Sequence, residues 1–426
     1  DGAPDLYVCN DFQTPDRLWL NDGKGRFRAI PLLAIRSTCN FAMTADVADL
    51  NRDGQYDLFV ADMLSRHHEL RLRQMDGSDR RPPQIGAIAD RHQIRRNVLF
   101  LNRGDGTYAD VANYARLDAS DWTWCSVWLD VDLDGYEDLV TGNGHAFDTQ
   151  DLDAFEQTRT MGRQTAAQKQ QNLTLYPKLA TPNNIFRNRG NLTFQETGLA
   201  WGYASTRVTH SVAMADFDSD GDLDLALNCL NAPPVVYRND TPAPRVAVRL
   251  KGQAPNLGGI GAHVVVRGGA VPLQSQEILC GGHYLSGSDP LRVFAAGSSS
   301  NALTIEVTWR SGKRSVLSNA PPNSICELDE AGAAAVPSPA PAPIPPPFFR
   351  DVSAALAHTH SETPFNDYER QPLLHRNYSQ LGPGVAWTDL DGDGHDELVI
   401  GAGRGGKLAV YRSNGQGGFT PDPAWA

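Results

Sequence analysis

Apolar positions recur with period two at four places in the chain: Ala45/Val47, Ser126/Trp128, Val212/Met214 and Val385/Trp387. A step of two returns a side chain to the same face, so each pair predicts a half-buried strand. Downstream of each comes an unbroken apolar run, LFVA, LVTG, LALN or LVIG, which suits a strand covered on both faces. A second hairpin then recurs. RLWLNDGKGRF, NVLFLNRGDGTY, NIFRNRGNLTF and LAVYRSNGQGGF each set Asn and Gly between two strand-like runs, where the turn needs positive φ. Two hairpins predict four antiparallel strands per unit. Such units bury their faces only against neighbouring copies, which predicts an all-β protein built of propeller blades.

The loop inside the first hairpin is itself repeated. It reads DLNRDGQYDL from Asp49, DVDLDGYEDL from Asp130, DFDSDGDLDL from Asp216 and DLDGDGHDEL from Asp389, and the opening DGAPDL matches the tail of another copy. From Asp1 to Asp53 the spacing is 52 residues, but it is 81 from Asp53 to Asp134 and 86 from Asp134 to Asp220. Polar insertions at 63–96 and 145–182 account for the excess. Because the chain opens partway through a repeat, and one or two blades cannot close a propeller at the other end, both ends are expected to be truncated.

Acidic side chains at loop positions 1, 3, 5 and 9, with glycine at 6, can converge on a hard cation. Calcium takes about six to eight oxygen ligands, and soft ligands are absent here. The ligand sets so predicted are Asp49, Asn51, Asp53 and Asp57; Asp130, Asp132, Asp134 and Asp138; Asp216, Asp218, Asp220 and Asp224; and Asp389, Asp391, Asp393 and Glu397. The bland alternative is an Asp-rich turn that bonds only its own backbone. Position 12 is Val60, Thr141, Leu227 or Ile400, not the bidentate Glu of a helix-loop-helix calcium hand. Four divalent ions would move the formal net charge of -12 to about -4, so much of the acidity is read as metal-site charge.

DxDxDGxxDL within a four-stranded unit resembles the FG-GAP/VCBS repeat of integrin-alpha-type propellers over 1–240 and again over 349–420. That resemblance implies calcium at the residues just named, with Asn51 as a departure from the pattern. NLGGIGAHVVVR, GGHYLSGSDP and IEVTWRSGKRSVL resemble the ASPIC/UnbV domain, which follows such repeats in relatives of the cartilage acidic protein. VFAAG stands where that family has an HFGLG-like stretch, and Arg310 where it has proline.

The expected organisation is a partial propeller of about four blades over 1–240, a small all-β domain over 243–332, a proline-rich linker over 333–348 and the start of a second propeller over 349–426. PSPAPAPIPPP is stiff and extended, and it cannot join a sheet interior. Of the six cysteines, Cys280 and Cys326 fall in one small domain and form the one pairing suggested.

An acidic chain argues against nucleic-acid or anionic-membrane binding, and no apolar run is long enough to span a bilayer. GAGRGG, Gly401–Gly406, is followed by a strand and not a helix, so it reads as a glycine-rich hairpin and not as a dinucleotide site. His358, His360 and Glu362 would share one strand face, either as a polar rim or as two imidazoles and a carboxylate for a transition metal. The insertion 63–96 carries eight arginines, either solvated or gripping an acidic glycan or protein. Insertion 145–182 reads as a polar helix or lid, and Trp122, Trp124 and Trp128 as blade core. No residue is assigned a catalytic role. The expected function is calcium-dependent adhesion or recognition of a protein or glycan outside the cytoplasm; the alternatives are an enzyme or maturation accessory acting at a propeller channel, and a purely structural exoprotein.

Overall fold

The computed structural model describes residues 3–12, 14–74, 91–162, 164–279, 281–335, 348–374, 378–414, 416 and 418–425. The chain forms two compact units, Asp1–Pro82 with Ala87–Ser338, and a second one that includes Pro339–Ala426.

In the first unit the expected hairpins form four antiparallel sheets, here blades 1 to 4. Blade 1 comprises Leu6–Val8, Arg17–Asn21 and Phe27–Ala29. Blade 2 runs Thr44–Ala48, Asp57–Ala61, Val98–Asn102 and Tyr108–Asp110, and blade 3 runs Thr123–Leu129, Asp138–Asn143, Asn184–Asn188 and Phe194–Glu196. Blade 4 has Thr209–Ala215, Asp224–Cys229 and Val235–Tyr237, one strand fewer than expected. After Tyr237 the chain is diverted: Asn239 Nδ2 donates to Val131 O of blade 3, and the next strand, Arg245–Lys251, belongs to another domain.

The apolar runs of blades 2 and 3 are buried on both faces, as expected, at Asp57–Ala61 and Asp138–Asn143; that of blade 4 is less complete, with Asn228 exposed. The alternating strand of blade 2 departs from expectation. Thr44, Asp46 and Ala48 are its buried face, while Ala45 and Val47 are half-buried. The reason is polar stitching to blade 3. Thr44 Oγ1 lies 3.3 Å from Ser126 Oγ, and Asp46 Oδ2 accepts from Trp128 N at 2.8 Å. Between these blades Phe59, Trp128 and Phe194 form an aromatic column, with ring centroids 5.9 and 5.8 Å apart. Trp122 and Trp128 are buried, as expected of core, and Trp124 is half-buried.

The small β domain is a sandwich. Arg245–Lys251 pairs with Arg292–Ala295 and Ser324–Asp329 in one sheet. The other orders Leu273–Glu277, His263–Arg267, Leu303–Thr308, Lys313–Ala320 and Ala334–Ala335. Val246, Val264, Phe294, Ile305 and Trp309 fill the space between them. Cys326 lies in this domain, while Cys280 and the Pro337–Pro347 stretch are outside the described residues.

The insertion arginines have internal partners. Arg66 reaches Asn184 and Glu196 of blade 3, Arg73 pairs with Asp151 at 2.6 Å and Arg96 with Asp110 at 2.7 Å. Arg91, 6% exposed, donates to Ile35 O and Ile30 O. They brace the fold, which neither the solvated nor the ligand-gripping reading anticipated; Arg80 and Arg81 lie outside the described residues. The second insertion forms helices Leu152–Arg159 and Ala166–Asn172, the latter opened by a Thr165/Gln168 capping box.

The second unit contains a four-stranded antiparallel blade: Val385–Thr388, Glu397–Ile400, Ala409–Ser413 and Phe419–Pro421. Leu398, Ile400 and Tyr411 form its buried apolar cluster. Its first strand is exposed throughout, not half-buried, with Trp387 53% exposed.

Candidate metal centres

In each full copy the acidic loop closes in one register. Ala48 pairs with Asp57, Leu129 with Asp138, Ala215 with Asp224 and Thr388 with Glu397, so position 9 always faces the last residue of the preceding strand. The position 9 side chain is buried and clasps the loop. Asp138 accepts from Val131 N at 3.0 Å and Asn188 N at 2.8 Å; Asp224 accepts from Phe217 N at 2.8 Å and Asn239 N at 2.7 Å. Asp57 does the same with Leu50 and Asn102, and Glu397 takes Leu390 N.

Position 1 holds the bend. Asp130 accepts from Asp134 N at 3.0 Å and Gly135 N at 2.8 Å, and Asp49, Asp216 and Asp389 likewise accept from backbone N–H groups further along their own loops. The glycine at position 6 makes the bend possible: Gly54, Gly135, Gly221 and Gly394 all have φ between +82° and +99°. These are the Asp-turn bonds of the bland reading. They leave further lone pairs that converge.

Positions 1, 3 and 9 are brought together. Asp130, Asp132 and Asp138; Asp216, Asp218 and Asp224; and Asp389, Asp391 and Glu397 each offer oxygens within 4.8 Å of one another. In blade 2, Asn51 stands at position 3 and its amide donates to Asp53 Oδ2 at 2.9 Å. At position 5, Asp134 and Asp220 also meet cations of the protein. Arg187 spans Asp132 at 2.6 Å and Asp134 at 2.7 Å, and Arg245 reaches Asp220 at 2.7 Å. Asp393 Oδ1 accepts from His395 N.

The residues suit a hard cation on two counts. Every converging donor is a carboxylate oxygen, and Asp132 Oδ1 is buried with no hydrogen-bond partner. Burial, then the charges of Glu137 and Asp134, holds the Asp130 carboxyl well above the usual range, and burial with the charge of Asp130 does the same to Asp138. Asp57 is pushed up to about 7 by burial, against the pull of the Asn102 and Leu50 N–H groups. Such groups stay ionised readily only beside a cation.

Sequence reading missed Asp222 and Glu137, which lie inside the loops at positions 7 and 8. Asp222 is 1% exposed, faces Arg245 at 3.3 Å and is pushed up to about 7 by burial. Glu137 forms a buried pair with Arg52 of blade 2 at 2.8 Å. The arginines could have been found, since Arg187, Arg238 and Arg412 stand at one repeated place.

The family model for FG-GAP-like repeats matches residues 1–60 and 177–227, and that for the FG-GAP repeat matches 381–418. The ASPIC and UnbV model matches 252–335, the β sandwich. The chain is an FG-GAP repeat protein with an ASPIC and UnbV domain. In this FG-GAP protein the matched segments include the loops at Asp49, Asp216 and Asp389, and the Asp130 loop shares their register without lying in a matched segment. Comparison with curated proteins returns no match. Among solved structures, a lectin from Agrocybe aegerita, described for specific recognition of non-reducing terminal N-acetylglucosamine, is 13% identical over 98% of this chain and 78% of its own. Its TM-score of 0.24 is too low for that likeness to bear on the argument.

Proposed function

We propose that this FG-GAP protein is a calcium-binding, non-enzymatic recognition or adhesion protein that works outside the cytoplasm. The observation that supports calcium is the convergence of positions 1, 3 and 9 in three loops built in one register. Asp130, Asp132 and Asp138, with Asp134, would hold one ion; Asp216, Asp218 and Asp224, with Asp220, another; and Asp389, Asp391 and Glu397, with Asp393, a third. Asp49, Asn51, Asp53 and Asp57 would hold a fourth. A bound divalent ion supplies positive charge that turns mutual repulsion among these carboxylates into cohesion.

Sites of this kind fill most readily where free calcium is high, which supports the extracellular assignment. No helix among the described residues is long and apolar enough to cross a membrane. FG-GAP and ASPIC/UnbV domains are not typical enzymatic domains, and the polar loops between rigid blades supply variable surface for a protein or glycan ligand. The test has two arms. Calorimetry should count up to four calcium equivalents, with Asp132→Asn losing one. A pull-down from surface or matrix extract should retain partners in calcium and release them in chelator. Absence of calcium uptake refutes the metal assignment, and calcium uptake without any calcium-dependent partner refutes the recognition role.

A further inference from the structure

We infer that the second unit carries a transition-metal site, distinct in chemistry from the acidic loops, built on His358 and His360 with Glu362. These residues alternate with exposed neighbours: positions 358, 360 and 362 are half-buried, whereas 359, 361 and 363 are exposed. One face of an extended segment therefore carries two imidazoles and a carboxylate. His358 and His360 both line a cavity of about 510 Å³, walled also by Lys407, Tyr411 and Asp422.

Within it the Nε2 atoms of both His358 and His360 are buried and have no hydrogen-bond partner. Two such nitrogens in one cavity are costly unless something meets them. His358 Nδ1 lies 3.1 Å from Tyr411 Oη. When Nδ1–H donates to that oxygen, Nε2 carries the lone pair, which is how a ligating histidine is oriented by its second nitrogen. Glu362 completes the set, with Oε1 3.7 Å from His360 Nε2.

The glycine-rich turn exists for this segment. A Cβ at Gly403 would run into the Glu362 side chain, and one at Gly406 into the Ser361 carbonyl oxygen. Thr363 N donates to Arg404 O at 2.7 Å, fixing 361–363 beside the turn. Gly403 thus leaves the Glu362 side chain room beside the turn. The three donors do not all lie within 4.8 Å of one another in this structure, so binding would draw His360 and Glu362 toward the His358 ring that Tyr411 holds. Imidazole ligands select zinc, iron, copper or nickel and not calcium. Two imidazoles and one carboxylate also leave coordination positions open to water or a small ligand.

The test titrates the full chain with zinc, in calcium sufficient to fill the acidic loops, and repeats the titration with cobalt to read its visible spectrum. One zinc equivalent is expected, with a cobalt spectrum of mixed nitrogen and oxygen ligation. His358→Ala/His360→Ala should lose that equivalent while keeping the calcium-dependent melting transition. Tyr411→Phe should keep the stoichiometry and weaken affinity about 10- to 100-fold. No zinc equivalent in the parent chain, or an undiminished one in the double variant, overturns the site; unchanged affinity in Tyr411→Phe overturns the role given to the tyrosine. The calcium arm of the proposed function is read separately and stands or falls without it.

Discussion

Ser275 of the β sandwich donates from its hydroxyl to Asp49 Oδ2 at 3.0 Å, so a loop of blade 2 and a strand 226 residues away share one buried carboxylate. The other two acidic loops of the first unit touch the same domain. Arg245 reaches Asp220 and Asp222, and a Cβ on Gly135 would meet Val271 Cγ1 at 2.9 Å. These contacts join loops and sandwich in one packed junction. Chelation should lower the melting temperature and expose the 241–244 connection to protease, while calcium at about 100 times its Kd should add ~2.7 kcal/mol per site. A melting temperature indifferent to chelator would show the loops to be self-sufficient turns.

Gly135 gives that junction a sharp genetic test. Its φ of +99° is strained for any side chain, and the space beyond it is already filled by Val271. Gly135→Ala should cost about 2 kcal/mol or more, with a parallel drop in calcium affinity at the blade 3 loop. Val271→Ala in the same chain should recover the steric part only, and recovery of the whole loss would place the entire effect in packing.

Asp16 predicts a pH dependence remote from the acidic loops. Burial pushes its carboxyl up to about 6, partly offset by N–H donation from Asn10 and the Tyr7 hydroxyl. The unfolded value is about 3.9, so between these pH values the folded state binds the additional proton. Stability therefore falls as pH rises from about 4 to 6, and the cost of ionising Asp16, on the order of 2–3 kcal/mol, persists above that range. Asp16→Asn should melt above the parent at pH 7 and level with it at pH 4. Equal melting at both would mean that Asp16 stays comfortably ionised.

What the sequence made legible were the features set by short-range periodicity. The alternation before each loop, the glycine at position 6 and the Asn-Gly hairpins fix strand, bend and register locally; the first two recur in all four full copies and the hairpin in three, blade 4 lacking it. Faces set by contact between blades were not legible. Thr44 and Asp46 are polar by composition and buried by position, because they satisfy Ser126 and Trp128 on the next blade. The arginine partners of two carboxylates at position 5 were not legible for a similar reason: Arg187 and Arg245 reach Asp134 and Asp220 from 53 and 25 residues away. No window centred on the loop contains the cation that competes for it.

Arg91 illustrates the same point for stability. It sits in an arginine-rich insertion, yet it is buried with Nε 2.8 Å from Ile35 O and Nη2 3.1 Å from Ile30 O. Arg91→Met keeps the stem and strands both carbonyls, and should cost about 2–3 kcal/mol in denaturant unfolding. Arg91→Lys should restore only part of this, since an ammonium lacks the planar fork that serves two carbonyls at once. A cost near zero for Arg91→Met would return the residue to the solvated class.

The repeats also pair loop chemistry with one outward position. Where position 3 is Asp132, Asp218 or Asp391, the third strand or the residue just after it supplies Arg187, Arg238 or Arg412, at 2.6, 3.8 and 2.6 Å; where position 3 is Asn51, the equivalent place is Leu101. The arginine thus balances the third carboxylate when no ion is held, and it must yield some of that contact when one is. Replacing it with the residue blade 2 uses should separate these two effects. Arg187→Leu is expected to lower stability in chelator by about 1 kcal/mol, as for a partly exposed pair, and to enlarge the rise in melting temperature that calcium produces. Competition worth a tenfold gain in calcium affinity corresponds to ~1.4 kcal/mol. If the calcium-induced rise shrinks, Arg187 instead orients Asp132 for the ion, and the charge-balancing account of the arginine row fails.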